Sequence, residues 1–313
     1  MVSSAGIAPT RTAPGSRNAP QPRIAALLTS RILMWILLGF LLIFFVLPVV
    51  WLLLAITKTD NQLVHDTPLA FGSLGNVATT WNHLIDFQGA AILVWLKNSA
   101  IYSLGALVIT LAATIPAGYG LALTRFRGRG ILLRLTLVVM LVPTSTLVLP
   151  IYLELSAVHL TGTAWSVILP FSFYPFGVYL TYIYYSTSLP RDLLAAARID
   201  GCSEWRIFTD IALPLARPII GLVAFFSFVG NWNNYFLPLV MLAKSQSYPL
   251  QLGLQELLSS TPAFNPAQGG AALNIQRPEL ALAIIISILP VLLIFLFSQR
   301  TLVAGLLAGS TKE

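Results

Sequence analysis

Residues 32–56 read Ile-Leu-Met-Trp-Ile-Leu-Leu-Gly-Phe-Leu-Leu-Ile-Phe-Phe-Val-Leu-Pro-Val-Val-Trp-Leu-Leu-Leu-Ala-Ile, with no charged side chain among them. At 1.5 Å per residue, about 20 apolar residues in a helix cross the roughly 30 Å hydrocarbon core of a bilayer. The run is therefore a membrane span. It is too long for the apolar part of a cleaved signal peptide, about 7 to 15 residues, and it is expected to stay in the mature chain. Five further runs follow: Ala100 to Leu123, Leu135 to Leu153, Ala164 to Tyr185, Ile219 to Leu242, and Leu280 to Phe297. The last extends through Leu302 if Gln299 and Arg300 snorkel to the interface. Backbone facing lipid must satisfy its own hydrogen bonds, so all six are expected to be helices. The fold class is all-α, an integral-membrane six-helix bundle.

Composition agrees. Of 313 residues 57% are hydrophobic and only 9% charged, against about 25% charged in soluble domains. Residues 1–31 form the expected N-terminal tail, and the first 22 are too poor in apolar side chains to fold alone. The membrane domain is expected over 32–303 and a C-terminal tail over 304–313.

Basic residues alternate between the two ends of the spans. Arg11, Arg17, Arg23 and Arg31 precede the first, Arg125, Arg127, Arg129 and Arg134 lie between the second and third, and Arg191, Arg198, Arg206 and Arg217 lie between the fourth and fifth. The intervening connections carry Asp60, Asp66, Asp86 and Glu154 with few basic groups. By the positive-inside rule both termini face the cytoplasm. These loops account for the net charge of +7, and no nucleic-acid-binding motif accompanies it. Cys202 is the only cysteine, so no intrachain disulfide forms, and His65, His83 and His159 lack metal-site spacing.

No nucleotide-binding Gly-rich loop, zinc-protease motif or nucleophile elbow occurs in the sequence. The chain is not expected to bind a cofactor or hydrolyse ATP. Secondary transporters and pumps keep ionisable groups within their spans, and these spans are almost free of them. Energy must come from a partner.

The loop Ser186–Pro218 has internal pattern. Pro190 suits a helix start, and Leu193, Ala196, Ala197 and Ile199 cluster after it. Gly201 permits a sharp turn. Ser203 can cap a second helix, Glu204 to Ile211, in which Trp205, Phe208 and Ala212 share a face and which Leu213, Pro214 and Pro218 end. A loop resting on the membrane interface and a knob for a partner both remain open on these grounds.

The run Leu194-Ala195-Ala196-Ala197-Arg198-Ile199-Asp200-Gly201, followed nine residues later by Ile211-Ala212-Leu213-Pro214, resembles the EAA loop of ABC-importer permeases. Ala195 stands where that family usually has Glu. Lys97-Asn98-Ser99, Val142-Pro143-Thr144, Asn231-Trp232-Asn233-Asn234 and Tyr248-Pro249-Leu250-Gln251 are similar to segments of its carbohydrate class, in particular the smaller permease of maltose-type pairs. The resemblance covers the chain from about Ile32 and implies a type I ABC-importer permease fold. It also implies an inner-membrane assembly with a second permease subunit, two cytoplasmic ATPase subunits that hold ATP and Mg, and an extracytoplasmic binding protein delivering a sugar. Glycerol phosphate or another small polar solute is the alternative cargo.

The resemblance makes the loop an ATPase-coupling element. Ala196, Ala197 and Gly201 would supply close fit and the turn, Asp200 would cap the bend, and Ile211, Leu213 and Pro214 would anchor the loop to the membrane core. An ion pair through the family's Glu is lost with Ala195, leaving shape and polar contacts such as Arg198 or Glu204. Asn231, Trp232, Asn233 and Asn234 place amides at membrane depth, where they either pin the bundle by interhelical hydrogen bonds or line a translocation path. Tyr174 and Tyr182 pose the same alternatives. The loop Lys244 to Pro278 is either a flexible linker or, as the resemblance implies, a segment that reaches into the binding protein.

Overall fold

A computed structural model describes residues 24–265 and 275–308. The expected N-terminal tail up to residue 23, residues 266–274 of the loop before the last span, and the chain end from residue 309 lie outside the described residues. Two compact units divide after Val50. The boundary falls within α1 (Ile24–Ala55), which is already helical ahead of the apolar run. Its side chains from Ile32 to Leu38 are exposed, as suits a helix solvated by lipid.

The second unit contains α2 (Asp60–His65), α3 (Leu74–Asp86) and the 33-residue α4 (Ala91–Leu123). Next come α5 (Arg129–Met140), α6 (Val148–Ala157), α7 (Trp165–Ser172) and α8 (Pro175–Thr187). The 186–218 loop holds α9 (Arg191–Ile199), α10 (Glu204–Ile207) and α11 (Leu213–Leu215). Then follow α12 (Arg217–Trp232), α13 (Phe236–Met241), α14 (Leu250–Ser260) and α15 (Arg277–Ala308). The last helix runs unbroken into the stretch expected as a tail. Among the described residues four helices are long and apolar enough to cross a membrane, and two bent pairs raise that to six if each pair is one span.

The bends correct the reading of uninterrupted spans. The third run, expected as one helix over 135–153, breaks after Met140 and resumes at Thr144 at an angle of 99°. Pro143 has no N–H to donate and pushes the residue before it out of helical geometry. In the fourth run Tyr174 stands at φ −132°, ψ 74° ahead of Pro175, which starts α8. The fifth opens between Trp232 and Phe236, where Asn234 Oδ1 accepts from the Leu237 N–H at 3.2 Å. A side-chain oxygen here competes with the helical ladder.

The unit is organised around α4, which at 1.5 Å per residue is about 50 Å long. Near its start Trp95 is fully buried, donates through Nε1 to the Ser245 carbonyl at 2.9 Å, and occupies the space where a β-carbon on Gly253 of α14 would stand. Towards its end Gly118 lets α8 approach so closely that any β-carbon there would collide with Thr181. Thr181 Oγ1 in turn donates to the Thr114 carbonyl at 3.0 Å. Trp232 joins α12 to α15 through Nε1 and the Ser287 carbonyl, 3.1 Å apart.

Candidate functional site

Two places carry chemistry, one at each of two depths along α4. The first is the two-helix loop. Helix α9 ends in a Schellman motif, with the Gly201 N–H on the Arg198 carbonyl at 3.1 Å and the Cys202 N–H on the Ala197 carbonyl at 3.0 Å. Gly201 has φ +77°, the left-handed geometry that favours glycine. Ser203 caps the next helix by accepting from the Arg206 N–H at 3.3 Å. That helix does not stop at Ile211. It passes through a π turn at Phe208–Ala212 and continues to Leu215, because the wider turn accommodates Pro214 without a helical donor.

Leu194, Ala197, Ile207, Phe208, Ala212 and Ala216 are buried in one cluster with Ile115, Tyr119 and Tyr185 of the spans, and Ile211 and Leu213 pack on its edge. Pro214 is exposed, and Ala197 faces inward, away from any partner. Ala195, Ala196, Asp200 and Gly201 are exposed. Asp200 serves the turn with its backbone N–H, which donates to the Ala196 carbonyl at 2.9 Å. Trp205 shares a face with Phe208 as expected, their ring centroids 5.6 Å apart, yet it is 70% exposed, and Ile199 is 86% exposed. The outer surface of the loop therefore presents small and apolar side chains among exposed charged ones, such as Arg191, Asp192, Asp200 and Arg206.

Two of its ion pairs close within the loop, Arg198 with Glu204 and Arg206 with Asp210. Arg198 Nε donates to Glu204 Oε1 at 2.7 Å, and Tyr119 Oη donates to Glu204 Oε2 at 3.0 Å. The hydrogen bond from Arg198 holds the Glu204 carboxyl below the usual range, with help from Tyr119, and the same bond raises Arg198. Tyr119 belongs to α4, so this carboxylate ties the loop to a span. Sequence spacing gave no sign of that tie, which joins residues 85 positions apart.

The second place is a cavity of about 330 Å3 between α6, α7, α12 and α13. Thr144, Ser145, Tyr174, Asn231 and Asn234 line it together with Phe171, Phe173 and Phe236. The Asn231 Nδ2 is buried and finds no hydrogen-bond partner. Of the amide cluster, Asn231 and Asn234 thus share a cavity with Tyr174. Trp232 turns the other way into the α12–α15 contact. Asn233 is exposed and accepts from Gln251 Nε2 at 3.4 Å. Tyr182 is half-buried, its ring 6.2 Å from that of Tyr179, and does not reach the cavity. Thr144 and Ser145 were missed because they matter only once the chain bends at Pro143. No Asp, Glu, Lys, Arg or His is among the residues that line the cavity, and no trio of metal-ligating side chains occurs among the described residues.

A profile of the binding-protein-dependent transport system inner membrane component matches residues 114–307, which span both places. The chain belongs to this family. It is a multi-pass permease subunit by that membership, and the type I permease fold follows. The arabinooligosaccharides transport system permease protein AraQ of Bacillus subtilis is 34% identical over 90% of this chain and 96% of its own length. AraQ of Halalkalibacterium halodurans is 33% identical over 91% and 98%. In fold, the permease resembles a chain in the crystal structure of a bacterial ABC transporter involved in import of the acidic polysaccharide alginate. The TM-score is 0.76 at 20% identity, covering 90% of this chain and 99% of that one.

Proposed function

We propose that this permease carries a sugar or oligosaccharide across the inner membrane, driven by ATP that partner subunits bind with Mg and hydrolyse. A second permease subunit completes the path, two ATPase subunits dock on the two-helix loop, and an extracytoplasmic binding protein supplies the cargo. Both termini face the cytoplasm, which puts the Arg-rich loop at 186–218 on the ATPase side.

The observation that carries this reading is the uncharged, aromatic-lined cavity with an orphaned amide at Asn231. Aromatic faces suit sugar rings, and the amides of Asn231 and Asn234 in the cavity wall suit hydroxyls and ring oxygens. A phosphate would call for Arg or Lys forks, so the cavity favours a neutral sugar over glycerol phosphate. The arabino-oligosaccharide name of the AraQ relatives points the same way. ATP-driven movement fits a loop whose buried face is one cluster with the span ends: displacing it displaces Tyr119 and Tyr185 as well, a bistable element that nucleotide can bias.

The test is reconstitution of the complete importer in proteoliposomes, with radiolabelled arabino-oligosaccharide loaded on the binding protein. Accumulation that requires ATP and all subunits is expected. Uptake without ATP, or ATP hydrolysis by this chain alone, would overturn the reading.

A further inference from the structure

Helix α3 turns polar groups inward beside one core side chain, Leu84, which is fully buried. Asn76 Nδ2 donates to the Thr57 carbonyl at 2.9 Å, Thr80 is 3% exposed, and His83 Nδ1 lies 3.0 Å from Glu279 Oε1. These groups border a polar chamber that also holds Lys58, itself 1% exposed, whose Nζ donates to the Thr67 carbonyl at 2.7 Å. The outward face is apolar. Leu74, Val77, Ala78 and Trp81 follow at i, i+3, i+4 and i+7, and Leu74 is 74% and Trp81 43% exposed. A helix on a water-soluble surface has the opposite polarity.

The face has a defined surrounding. With Leu282 the four residues line a shallow groove in which Asn82 is the one polar side chain. Leu282 lies in the first turns of α15, a membrane span. Leu289, Leu293 and Leu296, at i+7, i+11 and i+14 from Leu282, are exposed in turn and carry the same stripe down the span. The apolar face of α3 is thus the upper end of a continuous leucine stripe on a span. Its place in the chain, between the end of α1 and the start of α4, sets it at a membrane boundary. Trp81 is the residue type favoured there.

We propose that α3 lies in the boundary between lipid headgroups and acyl chains, in the leaflet at the end of the bundle opposite the two-helix loop. Leu74, Val77, Ala78 and Trp81 are seated in lipid. The occupant is the bilayer, because the groove continues into a span surface and Trp81 on it is a residue type favoured at that depth. Seated so, the helix shields the chamber around Lys58, His83 and Glu279 from the hydrocarbon side. The inference is independent of which solute the permease carries.

The test uses the importer assembled with its partner subunits in nanodiscs of phosphatidylethanolamine and phosphatidylglycerol. Nitroxide labels are placed at Leu74→Cys or Ala78→Cys in a Cys202→Ser background, with Asn61→Cys on α2 as the reference. Ala78→Cys adds only a thiol at an exposed position, so it reports even if Leu74→Cys assembles poorly. Collisions with oxygen, relative to a water-soluble nickel chelate, are expected to exceed those at the reference several-fold, with or without the binding protein. A ratio equal to that of Asn61→Cys would mean a water-facing helix and overturn the proposal. Few collisions with either reagent would mean that a protein partner covers the face, and would overturn it equally.

Discussion

Arg198 and Glu204 close the two-helix loop on itself across the left-handed turn at Gly201, with Nε to Oε1 at 2.7 Å and Nη2 to Oε2 at 3.3 Å. Tyr119 takes the second carboxylate oxygen from the membrane side. Neither charge is free to replace the ion pair that Ala195 cannot make. Ile199 and Trp205 are the most exposed apolar side chains of the loop, set among exposed charges such as Arg191, Asp192 and Asp200.

Because both side chains of the pair are well exposed, 42% for Arg198 and 51% for Glu204, the pair adds at most about 1 kcal/mol to stability. Its value lies in geometry. Glu204→Ala is expected to leave membrane insertion and subunit assembly intact while lowering ATP-driven uptake several-fold, with Glu204→Gln intermediate because it keeps an acceptor for Tyr119. Uptake and co-purification measured on the same cells check this. The folded carboxyl lies below its ordinary value. Its contribution is therefore complete above that value and lost only as pH falls through the lowered one. Amide-exchange protection of residues 204–207 should stay flat between about pH 5 and pH 8 and fall in more acid solution. A fall near neutrality would contradict the assignment.

At Gly201 the constraint is conformational: φ is +77°, and nothing lies within 4 Å of where a β-carbon would stand. A left-handed non-glycine residue costs roughly 1–2 kcal/mol, less for Asn. Gly201→Val should weaken coupling strongly and Gly201→Asn mildly. Equal loss in both, read as ATPase stimulation by loaded binding protein, would show that a partner packs against this position instead.

The turn at Gly201 and the cap at Ser203 were legible in the sequence because both are local: a residue type and its neighbours determine them. The six runs were legible for the same reason, since apolar length is a property of one segment. The breaks at Pro143 and at Asn233–Tyr235 were not, because an apolar run with one proline or a few amides can stay helical wherever neighbouring helices supply partners. The shared face of Trp205 and Phe208 was legible as well, and their ring centroids lie 5.6 Å apart. The contact of Tyr119 with Glu204 depends on how distant segments meet, which no spacing encodes, whereas the divergence of Asn231 and Trp232 follows from the turn between neighbours on a helix.

Helix α4 meets α8 at Gly118, where a β-carbon would run into the buried Thr181 side chain and backbone. Overpacking of this kind costs about 1–3 kcal/mol. Gly118→Val should lower the thermal midpoint of the purified complex and reduce its yield. Gly130→Ala, in α5 with open space around the new atom, should be neutral or slightly stabilising. A midpoint unchanged by Gly118→Val would mean that the two helices are less closely packed than described.

Asn231 separates the two roles open to the amide cluster. If it pinned the bundle, removing its amide would destabilise the protein by the worth of a buried hydrogen bond, about 0.5–1.5 kcal/mol plus the penalty on its abandoned partner. The structure gives Nδ2 no partner, and a buried orphan of this kind carries a desolvation penalty of about 1–3 kcal/mol. Asn231→Leu, close in volume and apolar, should therefore leave the thermal midpoint unchanged or raise it, while sugar uptake falls because the cavity has lost its donor. Trp232→Phe should do the reverse, since it breaks the bond to the Ser287 carbonyl in the α12–α15 contact without touching the cavity: lower stability, with uptake per assembled complex little changed. Thermal unfolding and uptake normalised to complex in the membrane, measured on both variants, decide the matter. Loss of stability in Asn231→Leu with uptake preserved would assign this amide to the bundle and remove it from the path.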